Sequence, residues 1–277
     1  MKRIITADSS ANLYHDDFPD FVPVPLKIVT DSKEYVDDEQ LDVAAMLREL
    51  RAYKGRSGTS CPSAADWLSA FGDADEVFGV SLTSHLSGCY NAAQLAAADY
   101  ASEHPNRRVF IMDSLTTGPE LELIVERYGE LIRSARTFEQ ICSEITEYLK
   151  HTRLMFSLES LSNFAKNGRV SPLLAKAVDI LGIRIVGRAS AEGELEPMHK
   201  CRGEKTALQK LVNGMLEEGY AGGRVRIRHS ENPTMAVRLV EELREAFPNA
   251  DITVGANRGL CSYYAERGGI LVGFEIK

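Results

Sequence analysis

"EVFGVSLTSHLSGCYNAAQLAAADYASEHPNRRVFIMDS", Glu76 to Ser114, reads as strand, helix and strand in turn. "EVFGVSL" is a short apolar run suited to a buried strand, "GCYNAAQLAAADYASEH" is an alanine-rich helix, and "RRVFIMDS" is strand-like again. That β-α-β order predicts a mostly parallel sheet with helices on both faces. Before it, "RIITAD" and "FVPVPLKIV" read as strands. A helix spans "DEQLDVAAMLRELRAY", where Leu41, Ala44, Ala45, Leu47 and Leu50 recur at roughly helical spacing, and another begins at Pro62 or Ser63. After it come the helices "ELELIVERYGELIRSA" and "TFEQICSEITEYLKHT", the second capped by Thr137.

The pattern then changes. Past "RLMFSL" and "ESLSNFAKNGRVSPLLAKAVDILG", the stretch "IRIVGRASAEGELEPMHKCR" reads as two strands around the turn-rich "SAEGE", and hairpins belong to antiparallel or mixed sheets. A helix ("EKTALQKLVNGMLEEG"), a strand ("RVRIRHS"), a helix from an Asn-Pro start and the strands "DITVGA" and "GILVGFEI" complete the chain. The expected class is α/β with two unlike domains, residues 1–152 on a mostly parallel sheet and 153–277 on a mixed one. A cleft between two such units is a favoured ligand position.

With 277 residues, 44% hydrophobic and 26% charged, the chain can bury a full core and is expected to be soluble. A net charge of −8 with scattered Lys and Arg argues against nucleic acid or anionic membrane as a partner, because counterion release needs a concentrated cationic surface. No window approaches the ~18 apolar residues of a membrane span. "MKRIITADSS" reads as a first strand rather than a signal segment. Cys61, Cys89, Cys142, Cys201 and Cys261 are odd in number and never spaced C-x-x-C, so a reduced, cytoplasmic protein is expected, without a zinc site. The acidic runs "HDDFPD" and "VDDEQ" read as a solvated loop and a helix start.

Two stretches stand out for chemistry. "SGTSCPSAADW" (Ser57–Trp67) and "SLTSHLSGCYNAA" (Ser81–Ala93) are crowded with hydroxyls and nearly uncharged. Each precedes a helix, where unpaired backbone N–H groups and the positive dipole end point outward. One Ser or Thr there is usually only a cap. Ser57, Thr59, Ser60, Ser63, Ser81, Thr83, Ser84 and Ser87 exceed what two caps need, and Ser87 at a helix start would leave the amides of Gly88 and Cys89 free for an anion. Asp8 and Asp113, each ending a strand, read as capping groups rather than metal ligands.

These residues carry a resemblance. "TSCPS" and "SLTSHLSGCYNAA" resemble the T-S-x-P-S and S-x-x-S-x-L-S-G-T-Y-x-x-A elements of the DegV family of bacterial fatty-acid-binding proteins. "TADSSANL", "VPLKI", "MDSLTTG", "FAKNGRVSP" and the stretch from "LGIRIVGRAS" to "CRGEKTAL" are similar to further family elements in the same order. The resemblance implies two α/β domains with one long-chain fatty acid between them, its carboxylate among hydroxyls and its tail in an apolar tunnel. It also implies a carrier without catalytic residues or cofactor, which presents the acid to a separate ATP-dependent fatty acid kinase. Ligand contact is carried onto Thr59, Ser60, Ser84, Ser87 and Gly88, and onto Asn257 and Arg258 in "GANRGLC", which aligns with the family's G-T-H-T-G-P-G. Arg169 and Arg202 become candidate kinase contacts.

The sequence departs from the family pattern at Cys61 (usually Gln), Cys89 (usually Thr), Asn257 (usually His) and Glu120 (usually Gly). Leu154, Phe156, Leu158, Leu161, Phe164, Leu173, Leu174 and Val178 are candidate tunnel residues, although their periodicity alone makes them core. Three rival readings stay open, one of them a structural or regulatory protein with a vestigial pocket, which the altered "GANRGLC" keeps alive. A serine acyl hydrolase would use Ser87 with His229 or His199 as base, but no G-x-S-x-G elbow exists. A phosphate- or nucleotide-binding enzyme would be expected to show a glycine-rich fingerprint, and none is present.

Overall fold

A computed structural model describes residues 1–15 and 20–277; most of the "HDDFPD" run thus lies outside the described residues. Strands β1 (Arg3–Asp8) and β2 (Phe21–Val24) belong to a four-stranded sheet with β6 (Glu76–Ser81) and β7 (Arg108–Asp113), ordered β2-β1-β6-β7 and parallel throughout. Every residue of β6 is buried, as expected of a central parallel strand covered on both faces. Helices α2 (Ala64–Phe71) and α3 (Cys89–Glu103) cover one face through Trp67, Phe71, Ala93, Ala96 and Tyr100. Helices α4 (Pro119–Arg133) and α5 (Phe138–Leu149) cover the other through Leu121, Ile124, Tyr128, Ile141 and Ile145. Ser63 and Asp66 close a capping box on α2; Thr137 and Gln140 do the same on α5.

One element differs from expectation. "FVPVPLKIV" is not one strand: after β2 the chain breaks at Pro25 and Leu26, then enters β3 (Lys27–Thr30) of a separate antiparallel sheet. That sheet runs β4-β3-β5, with β4 at Glu34–Val36 and β5 at Ser57–Ser60, so part of the first hydroxyl stretch is strand rather than helix-start loop. Between them lies α1 (Val43–Ala52), capped by Asp42.

The chain from 152 onward forms one six-stranded mixed sheet, ordered β10-β9-β8-β13-β11-β12. Its strands are β8 (Thr152–Leu158), β9 (Arg184–Ala189), β10 (Leu195–Cys201), β11 (Val225–His229), β12 (Ile252–Ala256) and β13 (Ile270–Glu275), with β11 and β12 parallel and the other neighbours antiparallel. Helices α8 (Gly203–Glu217) and α9 (Pro233–Ala246) pack on one face. Two shorter helices, α6 (Ser162–Lys166) and α10 (Gly259–Ala265), contact the other half, and α7 (Pro172–Leu181) packs beside α6. We propose the turn ahead of β8 as the domain boundary.

The halves meet along α4. Glu122, Glu126 and Glu130 pair with Arg228, Arg226 and Arg224: Arg226 grips Glu126 in two-pronged fashion at 2.6 and 2.7 Å, Arg228 Nε donates to Glu122 at 2.8 Å, and Arg224 Nη2 lies 2.5 Å from Glu130. The match follows from two periods. Four helical residues rise about 6 Å, two strand residues about 6.7 Å, so an i, i+4, i+8 row of acids meets alternate residues of a strand. Gly273 lets the start of α4 press on β13, since a Cβ there would collide with the backbone of Pro119 and Glu120.

Candidate functional site

Away from α4, the same interface holds a narrow apolar cavity. Leu26, Leu82 and Leu86 supply one wall, Leu154, Phe156, Leu158 and Leu271 the opposite one, and α10 contributes Leu260, Cys261, Tyr264 and Ala265. The polar lining is Thr59, Ser87, Thr117, Arg169 and the Tyr264 hydroxyl.

Strand alternation explains how Thr59 arrives there. On β5, Ser57 and Thr59 point to one face, and consecutive tyrosines of α10 meet them: the Ser57 hydroxyl bonds Tyr263 at 2.9 Å and Thr59 bonds Tyr264 at 2.7 Å. Asn167 Nδ2 donates to Tyr263 Oη at 3.0 Å. Burial pushes the Tyr264 phenol pKa upward, so it stays a neutral donor at neutral pH.

The second hydroxyl loop is held by two aspartates. Asp8 accepts from the amides of Leu82 (2.7 Å) and Ser10 (3.1 Å), and Asp113 from those of Ser84 (3.1 Å) and Leu115 (3.2 Å). Burial raises the Asp8 carboxyl to about 6 despite those donors. The hairpin joining β9 to β10 closes on this loop, placing Glu194 3.7 Å from His85. The helix-start geometry departs from expectation. Gly88, not Ser87, is the N-cap of α3, and the Cys89 amide is not free: it donates to Ser87 Oγ at 3.3 Å, while that hydroxyl donates to Cys89 Sγ at 3.2 Å.

Of the expected ligand residues, Thr59 and Ser87 line the cavity. Ser60 is exposed and donates to its neighbour Cys61's carbonyl, Ser84 does not line the cavity and gives its backbone amide to Asp113, and Gly88 lies against Cys61 Sγ. Asn257 and Arg258 are not brought to these hydroxyls. Both are buried on the far side of α10, beside a second, more open cavity that also includes His229 and Tyr14. Asn257 Nδ2 donates to Ser230 at 3.1 Å; Arg258 donates to the carbonyls of Leu13 and Asp37 and stacks 3.9 Å from the Tyr14 ring centroid. Asp37 accepts from the amides of Gly259 (2.8 Å) and Leu260 (2.9 Å), which fixes the start of α10.

Arg169 lines the apolar cavity and donates through Nε to Leu86 O at 3.2 Å; Arg202 is exposed at the start of α8 and does not line it. Leu154, Phe156, Leu158 and Phe164 line the cavity as expected of tunnel residues. Leu161 and Val178 are buried behind them, Leu174 is half-buried, and Leu173 is 79% exposed on α7. Sequence reasoning missed Thr117 and Tyr264. Ser57 and Thr59 did carry a signal, a period of two, which marks a strand face rather than a helix start.

The family model described as "Uncharacterised protein, DegV family" matches residues 2–276. The chain belongs to the DegV family. A DegV domain-containing protein of Streptococcus pneumoniae is 42% identical over 256 residues, which is 92% of this chain and 91% of that one. Two solved DegV-type structures are similar over the whole fold. One, the Streptococcus pneumoniae Fatty Acid Kinase (Fak) B3 protein loaded with linoleic acid, has a TM-score of 0.98 at 40% identity and covers both chains fully. The other, a DegV family protein from Eubacterium eligens loaded with heptadecanoic acid, has a TM-score of 0.96 at 44% identity, covering 99% of this chain and 100% of that one. Among the described residues no helix is long and apolar enough to cross a membrane.

Proposed function

We propose that this DegV chain holds one long-chain fatty acid between its two halves and presents the carboxylate to a separate fatty acid kinase. The observation that carries the reading is the interdomain cavity, walled by leucines and phenylalanines and supplied with Thr59, Ser87, Thr117, Tyr264 and Arg169 as its polar groups. The similar proteins loaded with linoleic and heptadecanoic acids support it. A carboxylate accepts several charge-assisted bonds from hydroxyls, and Arg169 adds positive charge at Leu86, beside Ser87. Tail burial supplies most of the affinity, at roughly 0.8 kcal/mol per CH₂. Arg169 and the exposed Arg202 remain the proposed kinase contacts. Ser87 spends its hydroxyl bonds on Cys89 rather than on a histidine base, which disfavours the hydrolase reading.

Native mass spectrometry of the purified protein, followed by denaturation and lipid extraction, tests the proposal. The expected result is one fatty acid per chain, lost from a folded Thr59→Val/Ser87→Ala variant. Protein that is empty, and stays empty when incubated with a panel of fatty acids, would sink it.

A further inference from the structure

Two thiols sit where the hydroxyl loops meet. Cys61 follows Thr59 and Ser60 after β5; Cys89 opens α3, two residues after Ser87. They come from separate loops that meet here: Cys61 Sγ lies 3.5 Å from the point where a Cβ on Gly88, the residue before Cys89, would stand. Their exposure is opposite, since Cys61 is exposed and Cys89 is fully buried. Neither lines the apolar cavity, and neither has a part in holding a fatty acid as described above.

We propose that Cys61 and Cys89 are an oxidation site, a reversible disulfide that ties the two hydroxyl loops together and weakens fatty-acid binding. The proposal rests on the fatty-acid reading of the cavity. An exposed attacking thiol backed by a buried resolving thiol is the arrangement such exchange needs. The neighbouring Cys89, with Arg169 nearby, shifts the Cys61 thiol below its ordinary value and so favours its thiolate, whereas Cys61 and burial push the Cys89 thiol up.

The oxidant is a low-molecular-weight disulfide. The Cys61 thiolate attacks one of its sulfurs; a Cys61 mixed disulfide forms and the first small thiolate leaves, taking a proton from water. Cys89 then gives up its proton and attacks Cys61 Sγ, expelling the second small thiolate, which takes up a proton. The protein dithiol is oxidised by two electrons and the small disulfide is reduced to two thiols. The new S–S bond of about 2.05 Å draws the loops together. It also pulls the Cys89 sulfur off the Ser87 hydroxyl and narrows the space between Ser87 and Thr59.

The test is to titrate a fluorescent fatty acid into reduced protein, into protein treated with oxidised glutathione, and into Cys61→Ser treated the same way, each with a peptide map. The expected oxidised protein carries a Cys61–Cys89 cross-link and binds about tenfold more weakly, or worse, with recovery on reduction. Cys61→Ser should bind equally well before and after treatment. A map showing only glutathione adducts on Cys61 or Cys142, or a cross-linked protein with unchanged affinity, overturns the proposal. Reduced protein that binds no fatty acid defeats the reading of the cavity and with it the affinity effect, while the map still decides the bond itself.

Discussion

The two sides of the interface between the halves are built from opposite materials. Along α4 the contact is charged and tightly registered, with three acid–arginine pairs and a glycine admitting backbone against strand. Around the cavity the wall is apolar, and the halves are joined there by isolated polar contacts such as Thr59 to Tyr264 and Arg169 to Leu86. Buried ion pairs add little net stability over an apolar match but punish misalignment, because an unpaired buried charge costs several kcal/mol. The α4 side, together with the buried Asp37–Arg258 contact behind α10, therefore sets how the halves sit. The cavity wall itself is freed from that task, and its side chains can part for a ligand without loss of register.

Breaking the α4 side should have the largest effect on stability. Arg226→Leu keeps bulk but strands Glu126, whose next partner, Arg224, stands 3.8 Å away. A loss of roughly 4 kcal/mol in urea unfolding is expected, within the range for severing a buried pair. A loss under about 1 kcal/mol would mean that the charged side does not hold the register. Next comes Glu120, buried at the same contact and bonded by the hydroxyls of Thr116 (2.5 Å) and Thr152 (2.7 Å). Burial raises its carboxyl from the ordinary 4.5 to about 7. A raised carboxyl favours the neutral form in the folded state, so its contribution is full below pH 4.5, declines as pH rises through 7, and is flat above. The total is about 3 kcal/mol. Glu120→Gln should remove that decline, so its stability relative to the original chain climbs between pH 4.5 and about 7 and levels off above. Parallel pH profiles for the two proteins would refute the assignment.

The same contrast explains what could be read from sequence. The parallel sheet was legible because "EVFGVSL" and "RRVFIMDS" flank a helix long enough to show its period. The β4-β3-β5 sheet was not, since its strands have three or four residues and "SGTS" has no apolar side chain; β5 is a strand because it pairs with β3, Thr59 opposite Ile28. Thr59 and Ser87 were legible as hydroxyl-rich stretches. Tyr264 was not, because its role comes from a contact some two hundred residues away in sequence. Asn257 and Arg258 show the converse. Their neighbours do reach the cavity, but α10 turns Cys261, Tyr264 and Ala265 toward it at i, i+3 and i+4, and Arg258 and Ser262 away from it.

The smallest expected effect lies on the cavity side and separates binding from stability. Tyr264→Phe removes one hydroxyl while keeping the ring, which packs against Phe164 with centroids 4.7 Å apart. The Tyr264 and Thr59 hydroxyls bond each other at 2.7 Å. With a carboxylate present, both can turn and donate to it, so the variant loses one charge-assisted donor but also spares the cost of breaking the old pair. The balance is about 1 kcal/mol, a roughly fivefold weaker fatty-acid affinity, with folding stability changed by less than that. Affinity that rises instead would show that Tyr264 withholds Thr59 from the ligand. A stability loss as large as that of Arg226→Leu would erase the distinction between the two sides, for the cavity wall would then be holding the halves together as firmly as α4 does.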